Sequence, residues 1–114
     1  MDEFSVKREL NGTVMVVTIS GRVDSVSAVK LESELTKVVN ENKKIVLDLK
    51  EVVYMSSAGV RTVVRASQSA QKSAGGVKLA DIRERVMQVF QTNVGMTEML
   101  QIYPSVDEAV ASFS

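Results

Sequence analysis

The sequence predicts an α/β fold in which a mixed, mostly parallel sheet of about five strands is covered by four to five helices, in the order β-β-α-β-α-β-α-β-α. Short runs rich in Val, Ile and Leu alternate with segments whose apolar residues recur every three or four positions. The dipeptide Asn11-Gly12 is a strong hairpin signal between the first two strands. The length of 114 residues suits one domain, so residues 1–114 are predicted to fold as a unit.

The first third of the chain predicts a hairpin and a long helix. Phe4, Val6 and Arg8 alternate with more polar neighbours, which is typical of an edge strand. A β-branched strand follows at 13–20, then an exit loop at 21–25 in which Asp24 or Ser25 can cap the next helix. That helix is predicted over 27–42, with an apolar face made of Ala28, Leu31, Leu35, Val38 and Val39.

The middle of the chain predicts a buried strand followed by a second helix. Residues 45–49 are apolar except for Asp48, as expected of a parallel strand covered on both faces. The helix is predicted over 59–74, and Gly75-Gly76 ends it. Its apolar face consists of Val60, Val63, Val64 and Ala70.

The last third predicts two further strands and two helices. A strand at 77–80 leads to Asp81, which can cap a helix over 82–92. A connector containing Met96 and Met99 precedes a short strand at 101–103. Ser105 and Glu108 fit the capping-box spacing at the start of the final helix.

Composition argues against several classes of function. The sequence contains no histidine and no cysteine, which excludes Ser-His-Asp and Cys-His catalysis and His-ligated zinc. Its carboxylates are scattered singly and it has no glycine-rich phosphate loop, so we expect no catalytic residue, metal or cofactor. Fourteen basic residues balance fourteen acidic ones, and we expect no nucleic-acid partner. Without a long apolar run or signal-peptide features, we expect a cytoplasmic protein that does not insert into membranes.

Two adjacent serines, Ser56 and Ser57, lie where the buried strand passes into the second helix. Backbone N–H groups in a first helical turn lack intrahelical partners, and the helix dipole places positive partial charge there. A serine hydroxyl can serve as N-cap at this position, and a phosphate is bound there still more favourably. The serines are therefore either plain caps or the acceptor of a regulatory phosphate.

The whole chain resembles the STAS domain of bacterial anti-sigma factor antagonists. The similarity is carried by Ile45-Val46-Leu47-Asp48-Leu49, by Val53-Tyr54-Met55-Ser56-Ser57-Ala58-Gly59-Val60 and by Gly21-Arg22-Val23-Asp24. The link from Gly75-Gly76 into the following strand also fits. Ser56 stands where the family usually has Asp, and Ala58 stands where many relatives have Ser or Thr.

The resemblance implies a partner-switching protein without catalytic activity of its own. In that family an unphosphorylated antagonist binds an anti-sigma factor, itself a GHKL-type serine kinase, and frees the sigma factor. Phosphorylation at the start of the second helix blocks binding, and a metal-dependent serine phosphatase restores it. The motif assigns the phosphate to Ser57, with Ser56 as the second choice. The residues implied around the phosphosite or against the partner are Asp24, Asp48, Ser56, Ala58, Gly59 and Arg61.

A second class of function also suits the resemblance. Stand-alone STAS proteins serve as constitutive subunits of lipid-transport ABC complexes and of other assemblies outside sigma-factor signalling. The pairing of Ser57 with Asp48 on the preceding strand favours the switch, whereas the missing Asp at Ser56 favours the constitutive subunit.

Overall fold

The computed structural model describes residues 3–92 and 100–113, and within them it contains five strands and four helices. The strands lie in the order β1-β2-β3-β4-β5 across one sheet. β1 is antiparallel to β2, and every other neighbouring pair is parallel. The predicted mixed sheet and the predicted order of elements are confirmed. The bounds are β1 Ser5–Asn11, β2 Val14–Val23, α1 Ser25–Glu41, β3 Lys44–Met55, α2 Ser57–Lys72, β4 Gly76–Ala80, α3 Glu84–Thr92, β5 Gln101–Tyr103 and α4 Val106–Ala111.

The hairpin forms where it is predicted, but its loop is shifted by one residue. Asn11 pairs with Val14 across the strands, so the two loop residues are Gly12 and Thr13. Gly12 has a φ of 64° and Thr13 does not have a positive φ, which corresponds to a type II′ turn.

The strands β2 and β3 both run further than the sequence predicts. The predicted exit loop after residue 20 continues as strand, because Gly21, Arg22 and Val23 pair with Val52, Tyr54 and Met55. Two register shifts interrupt this pairing, one of them next to Gly21, whose φ is 89°. Such bulges bend a strand without ending it, so the apolar alternation that marks a regular strand is lost while the pairing continues.

The helices cover the two faces of the sheet unequally. α1, α2 and α3 pack on one face, and the predicted apolar residues of α1 and α2 are all buried there. The short helix α4 covers part of the other face, where Ala109 packs against Val14, Val46 and Ala80. Both α1 and α2 begin two residues earlier than predicted, because Asp24 and Ser56 are their N-caps.

The end of β4 leads into α3 differently from the prediction. Asp81 has a φ of 60°, and its N–H donates to the Tyr103 carbonyl at 3.1 Å, which ties the end of β4 to β5. The helix begins at Glu84, so Asp81 is too far upstream to be its N-cap, and that prediction is wrong. Ser105 does cap α4, because its hydroxyl accepts the Glu108 N–H at 3.2 Å. The predicted connector residues Met96 and Met99 lie outside the described residues.

Candidate functional site

The serine pair lies at a corner where two helices begin side by side. The extended ends of β2 and β3 bring Val23 opposite Met55, and the Ser56 N–H donates to the Val23 carbonyl at 2.8 Å. α1 and α2 start from these two strand ends, at Ser25 and Ser57. The N-termini of both helices, with their positive partial charge, therefore point out of the same end of the sheet. We call this region, residues 22–26 and 54–61, the serine corner.

The two serines of this corner do different things. Ser56 is the N-cap of α2, and its hydroxyl accepts the Gly59 N–H at 3.3 Å. Ser57 is the first helical residue and is exposed, and its hydroxyl has no hydrogen-bond partner among the described residues. The cap interpretation is therefore correct for Ser56, while Ser57 is left accessible. Because Ser and Asp are comparable N-caps, Ser56 can cap the helix as the family's usual Asp would.

Asp24 lies at the same corner as the N-cap of α1. Its carboxylate accepts the N–H groups of Ser27 at 2.9 Å and Val26 at 3.0 Å. The Ser27 hydroxyl completes a capping box by accepting the Asp24 N–H. The Ser27 N–H and hydroxyl hold the pKa of Asp24 below its ordinary value, since they stabilise the charged form. Asp24 therefore places a charged carboxylate at the start of α1, at this corner, at neutral pH.

Gly59 allows the second helix to approach the strand ends closely. A Cβ atom at this position would lie 2.8 Å from both Met55 Cγ and Val23 Cγ1. Both side chains are buried beneath the helix start, so neither has free space into which it can move. Gly59, which was predicted to belong to the site, thus has a physical role: it sets the distance between α2 and the strand ends.

A groove between α1 and α2 continues from the corner. Its walls include Ser25, Val29, Ala58 and Arg61, and its volume is about 240 Å³. Arg61 is exposed and forms no ion pair with any described residue. Further along the groove, Arg65 lies 3.4 Å from Glu32 and links the two helices. The Arg61 guanidinium is therefore the charge of this groove that is available to a partner.

Sequence reasoning missed two exposed apolar residues on α1 beside this groove. Val26 is 71% exposed and Val29 is 68% exposed, although both are aliphatic. They are spaced three positions apart and therefore lie on one face of the helix, away from the buried face. The signal in the sequence was the pair of valines outside the predicted apolar stripe. On the neighbouring strand ends, the Arg22 guanidinium lies 4.5 Å from the centroid of the Tyr54 ring, with Tyr54 partly exposed.

Asp48, by contrast, is not brought to the corner. It pairs with Thr18 and Ala80 in the sheet and precedes Met55 by seven positions of β3, a chain length of roughly 20 Å. Its carboxylate accepts the N–H of Lys50 at 3.1 Å. The expectation that Asp48 lies beside the phosphosite is therefore not met.

No cluster of three or more Asp, Glu, His or Cys residues that could hold a metal ion occurs within residues 3–92 and 100–113. In the same residues, no helix combines the length and the apolar character needed to span a bilayer.

Comparisons with known proteins identify relatives of this chain. The family model described as STAS domain matches residues 5–109. BtrV of Bordetella bronchiseptica, which is provisionally named an anti-sigma factor antagonist, is 30% identical over 101 residues, covering 88% of this chain and 86% of BtrV.

Solved structures agree in fold over nearly the whole chain. An anti-sigma factor antagonist from Mycobacterium paratuberculosis superposes with a TM-score of 0.85 at 25% identity, over 97% of this chain and 94% of that one. The antagonist SpoIIAA has been solved in both states. Its unphosphorylated form gives a TM-score of 0.79 at 18% identity over 96% of each chain. The phosphorylated form of SpoIIAA from Bacillus gives a TM-score of 0.71 at 17% identity, over 98% of this chain and 100% of that one.

Proposed function

We propose that this chain, which belongs to the STAS domain family, is an anti-sigma factor antagonist whose binding is controlled by a phosphate on Ser57. One observation carries the proposal. The corner holds two serines, and the structural task of capping α2 is performed by Ser56. Ser57 is exposed at the helix N-terminus, so a phosphate can be added or removed there without breaking a described hydrogen bond.

In the unphosphorylated state, the serine corner and the adjoining groove form the binding surface. Val26 and Val29 supply apolar area that no described residue covers, and Arg61 supplies an unpaired positive charge. Interfaces commonly combine an apolar centre with a few charged groups at the rim. A matching anti-sigma factor would therefore present an apolar patch next to an acidic residue.

A phosphate on Ser57 would change this surface and leave the fold intact. It would add about −1.5 to −2 charges at neutral pH and three acceptor oxygens. The free N–H groups of the first turn of α2 can bind such an anion, and Arg61 lies one turn further along the same helix face. The phosphate would then neutralise the Arg61 charge within the chain. Asp24 carries negative charge, as the phosphate does, and would add to the repulsion of an acidic partner. A partner that had bound the apolar patch and Arg61 would meet a hydrated anionic surface instead.

The partners proposed here are those that the resemblance to anti-sigma factor antagonists implies. A GHKL-type anti-sigma factor would be both the bound partner and the kinase, and a metal-dependent serine phosphatase would reverse the modification in the cytoplasm. SpoIIAA, which shares the fold, exists in phosphorylated and unphosphorylated forms, and this supports a reversible modification here.

The deciding experiment is phosphorylation by the cognate kinase with ATP and Mg²⁺, followed by intact mass and peptide mapping. The wild type and Ser56→Ala are expected to gain one phosphate, and Ser57→Ala to gain none. If Ser57→Ala is phosphorylated as fast as the wild type, the assignment is wrong.

Calorimetric titration with the kinase in the absence of nucleotide tests the electrostatic step. Ser57→Asp is expected to bind about a hundredfold more weakly, which is about 2.7 kcal/mol. Ser57→Asn is the matched control, because it has nearly the same shape without the charge, and it should bind within a few-fold of the wild type. Equal affinities of the Asp and Asn variants would contradict the mechanism.

A further inference from the structure

We propose that the end of the sheet opposite the serine corner binds a small amphipathic anion, meaning a molecule with an apolar body and one carboxylate or phosphate head. A cavity of about 470 Å³ lies there, where β3 and β4 begin and α2 ends. This volume is within the range of small-molecule binding sites. The cavity shares no lining residue with the groove at the serine corner. The proposed switch makes no use of it.

The link from α2 to β4 lines the cavity with two glycines, Gly75 and Gly76, which have no side chains to fill it. A Cβ atom at Gly75 would lie 2.5 Å from the Lys43 carbonyl oxygen, so no larger residue fits that position. The next residue, Gly76, donates its N–H to the same carbonyl at 2.8 Å. A Cβ atom at Gly76 would stand 3.6 Å from the Phe113 ring and would project into the cavity. Gly75 therefore lets the link lie close against the start of β3, and Gly76 leaves the space beside the Phe113 ring open.

One side of the cavity is apolar. The half-buried Phe113 ring packs against the small core beneath α4, formed by Val14, Val46, Ala80 and Ala109, and presents its remaining surface to the cavity. Aliphatic surface is added by two residues of the same wall. Ala74 lies just after the end of α2, and Val77 lies near the start of β4. An apolar ligand body would therefore replace water against an aromatic ring and two aliphatic side chains.

The other side of the cavity is positively charged. Lys43, Lys44 and Lys78 line it, and none of the described lining residues is acidic. Lys78 is held in place, because its ammonium donates to the Ser112 hydroxyl at 2.7 Å and lies 4.1 Å from the centroid of the Phe113 ring. Lys43 and Lys44 form no ion pair with a described residue. Three cations without a described counter-ion at one cavity favour an anionic ligand.

The end of the neighbouring helix does not cancel this preference. The last carbonyls of α2 carry negative partial charge, which would repel an anion. Two of them are already occupied, since the Ala70 oxygen accepts the Gly75 N–H at 2.7 Å and the Gln71 oxygen accepts the Ala74 N–H at 3.1 Å. The ligand class follows from both walls together. Inorganic phosphate would leave the apolar wall unused, and a neutral alcohol would leave the lysines without a counter-ion.

The test uses decanoate as the probe and decanol as its uncharged counterpart, followed by amide NMR of the full chain. Decanoate is expected to give saturable shifts at the Gly75 and Gly76 amides, and decanol to bind at least tenfold more weakly. The double variant Lys43→Gln/Lys44→Gln should lose at least tenfold in decanoate affinity. Lys7→Gln/Lys50→Gln is the control, because both lysines are exposed, lie outside the cavity and carry the same total charge. It should bind as the wild type does.

A second variant tests the space itself. Gly76→Val places two methyl groups into the cavity, and it should abolish decanoate binding while circular dichroism shows a folded protein. The proposal is overturned if decanoate gives no saturable shift, if its shifts lie elsewhere, if decanol binds equally well, or if the two lysine double variants bind alike. An unfolded Gly76→Val leaves the lysine comparison as the deciding measurement.

Discussion

The different roles of Ser56 and Ser57 can be tested by measuring the free energy of unfolding alone. Ser56 is the N-cap of α2, and Ser57 has an exposed hydroxyl without a described partner. Replacing an N-cap serine by alanine usually costs about 0.5–2 kcal/mol. Because the Ser56 hydroxyl is 3.3 Å from the Gly59 nitrogen, a rather long bond, we expect Ser56→Ala to lower the free energy of unfolding by about 1 kcal/mol. For a chain of this size that corresponds to a fall in Tm of about 4 °C.

Replacement of Ser57 should not destabilise the protein. Ser57→Ala removes no described hydrogen bond, so its free energy of unfolding should stay within about 0.5 kcal/mol of the wild type. Ser57→Asp places a negative charge in the first turn of α2 and should stabilise the protein by about 0.3–1 kcal/mol at low salt.

Equilibrium unfolding in urea, with circular dichroism as the probe, measures all three variants. Equal slopes would show that the variants unfold from the same compact state. The result that refutes the reasoning is a Ser57→Ala variant that is destabilised as much as Ser56→Ala. Loss of stability in Ser57→Asp would also refute the claim that the first turn of α2 accepts an anion.

Three further predictions concern the surroundings of the serine corner and the ends of the helices. Gly59→Ala should lower the free energy of unfolding by about 1 kcal/mol or more in thermal unfolding, because contacts of 2.8 Å to Met55 and Val23 outweigh the gain in helix propensity. Ala74→Gly should raise it by about 0.5–1 kcal/mol in urea unfolding, since Ala74 has a φ of 61° at the C-terminal end of α2. The folded-state pKa of Asp24 is lowered, so its contribution to stability is present above its unfolded pKa and is lost as the pH falls through the folded pKa. Urea unfolding between pH 6 and pH 2 should therefore show a smaller fall in stability for Asp24→Asn than for the wild type.

Much of this molecule follows from local sequence patterns. The spacing of Leu31, Leu35 and Val38 on α1 was sufficient to predict both the helix and its buried face. The prediction was possible because a helix exposes or buries residues according to a period of 3.6, whatever it packs against. Ser105 was predicted as an N-cap, and Asp24 as one of two candidates with Ser25, for a similar reason, since a cap bonds to N–H groups only two or three residues away.

The errors share a different origin. The end of β2 was predicted as a loop, and the end of β3 was left out of the predicted strand. Both are strands because each supplies the hydrogen bonds that the other needs. That pairing joins residues about thirty positions apart and leaves no periodic trace where bulges interrupt it. Asp48 was expected beside the serine pair from the family resemblance, but its neighbours in the sheet are Thr18 and Ala80.

The sequence by itself determined the α/β class, the order of the elements and the presence of a serine pair at the start of a helix, because these depend on contacts between near neighbours in the chain. Only the tertiary structure decided which serine caps the helix, which aspartate lies beside it and where open surface remains. Val26 and Val29 are exposed, and Gly75 and Gly76 border a cavity, because of what the other elements cover or leave uncovered. Burial and proximity of this kind are set by the pairing of distant strands, which no local pattern records.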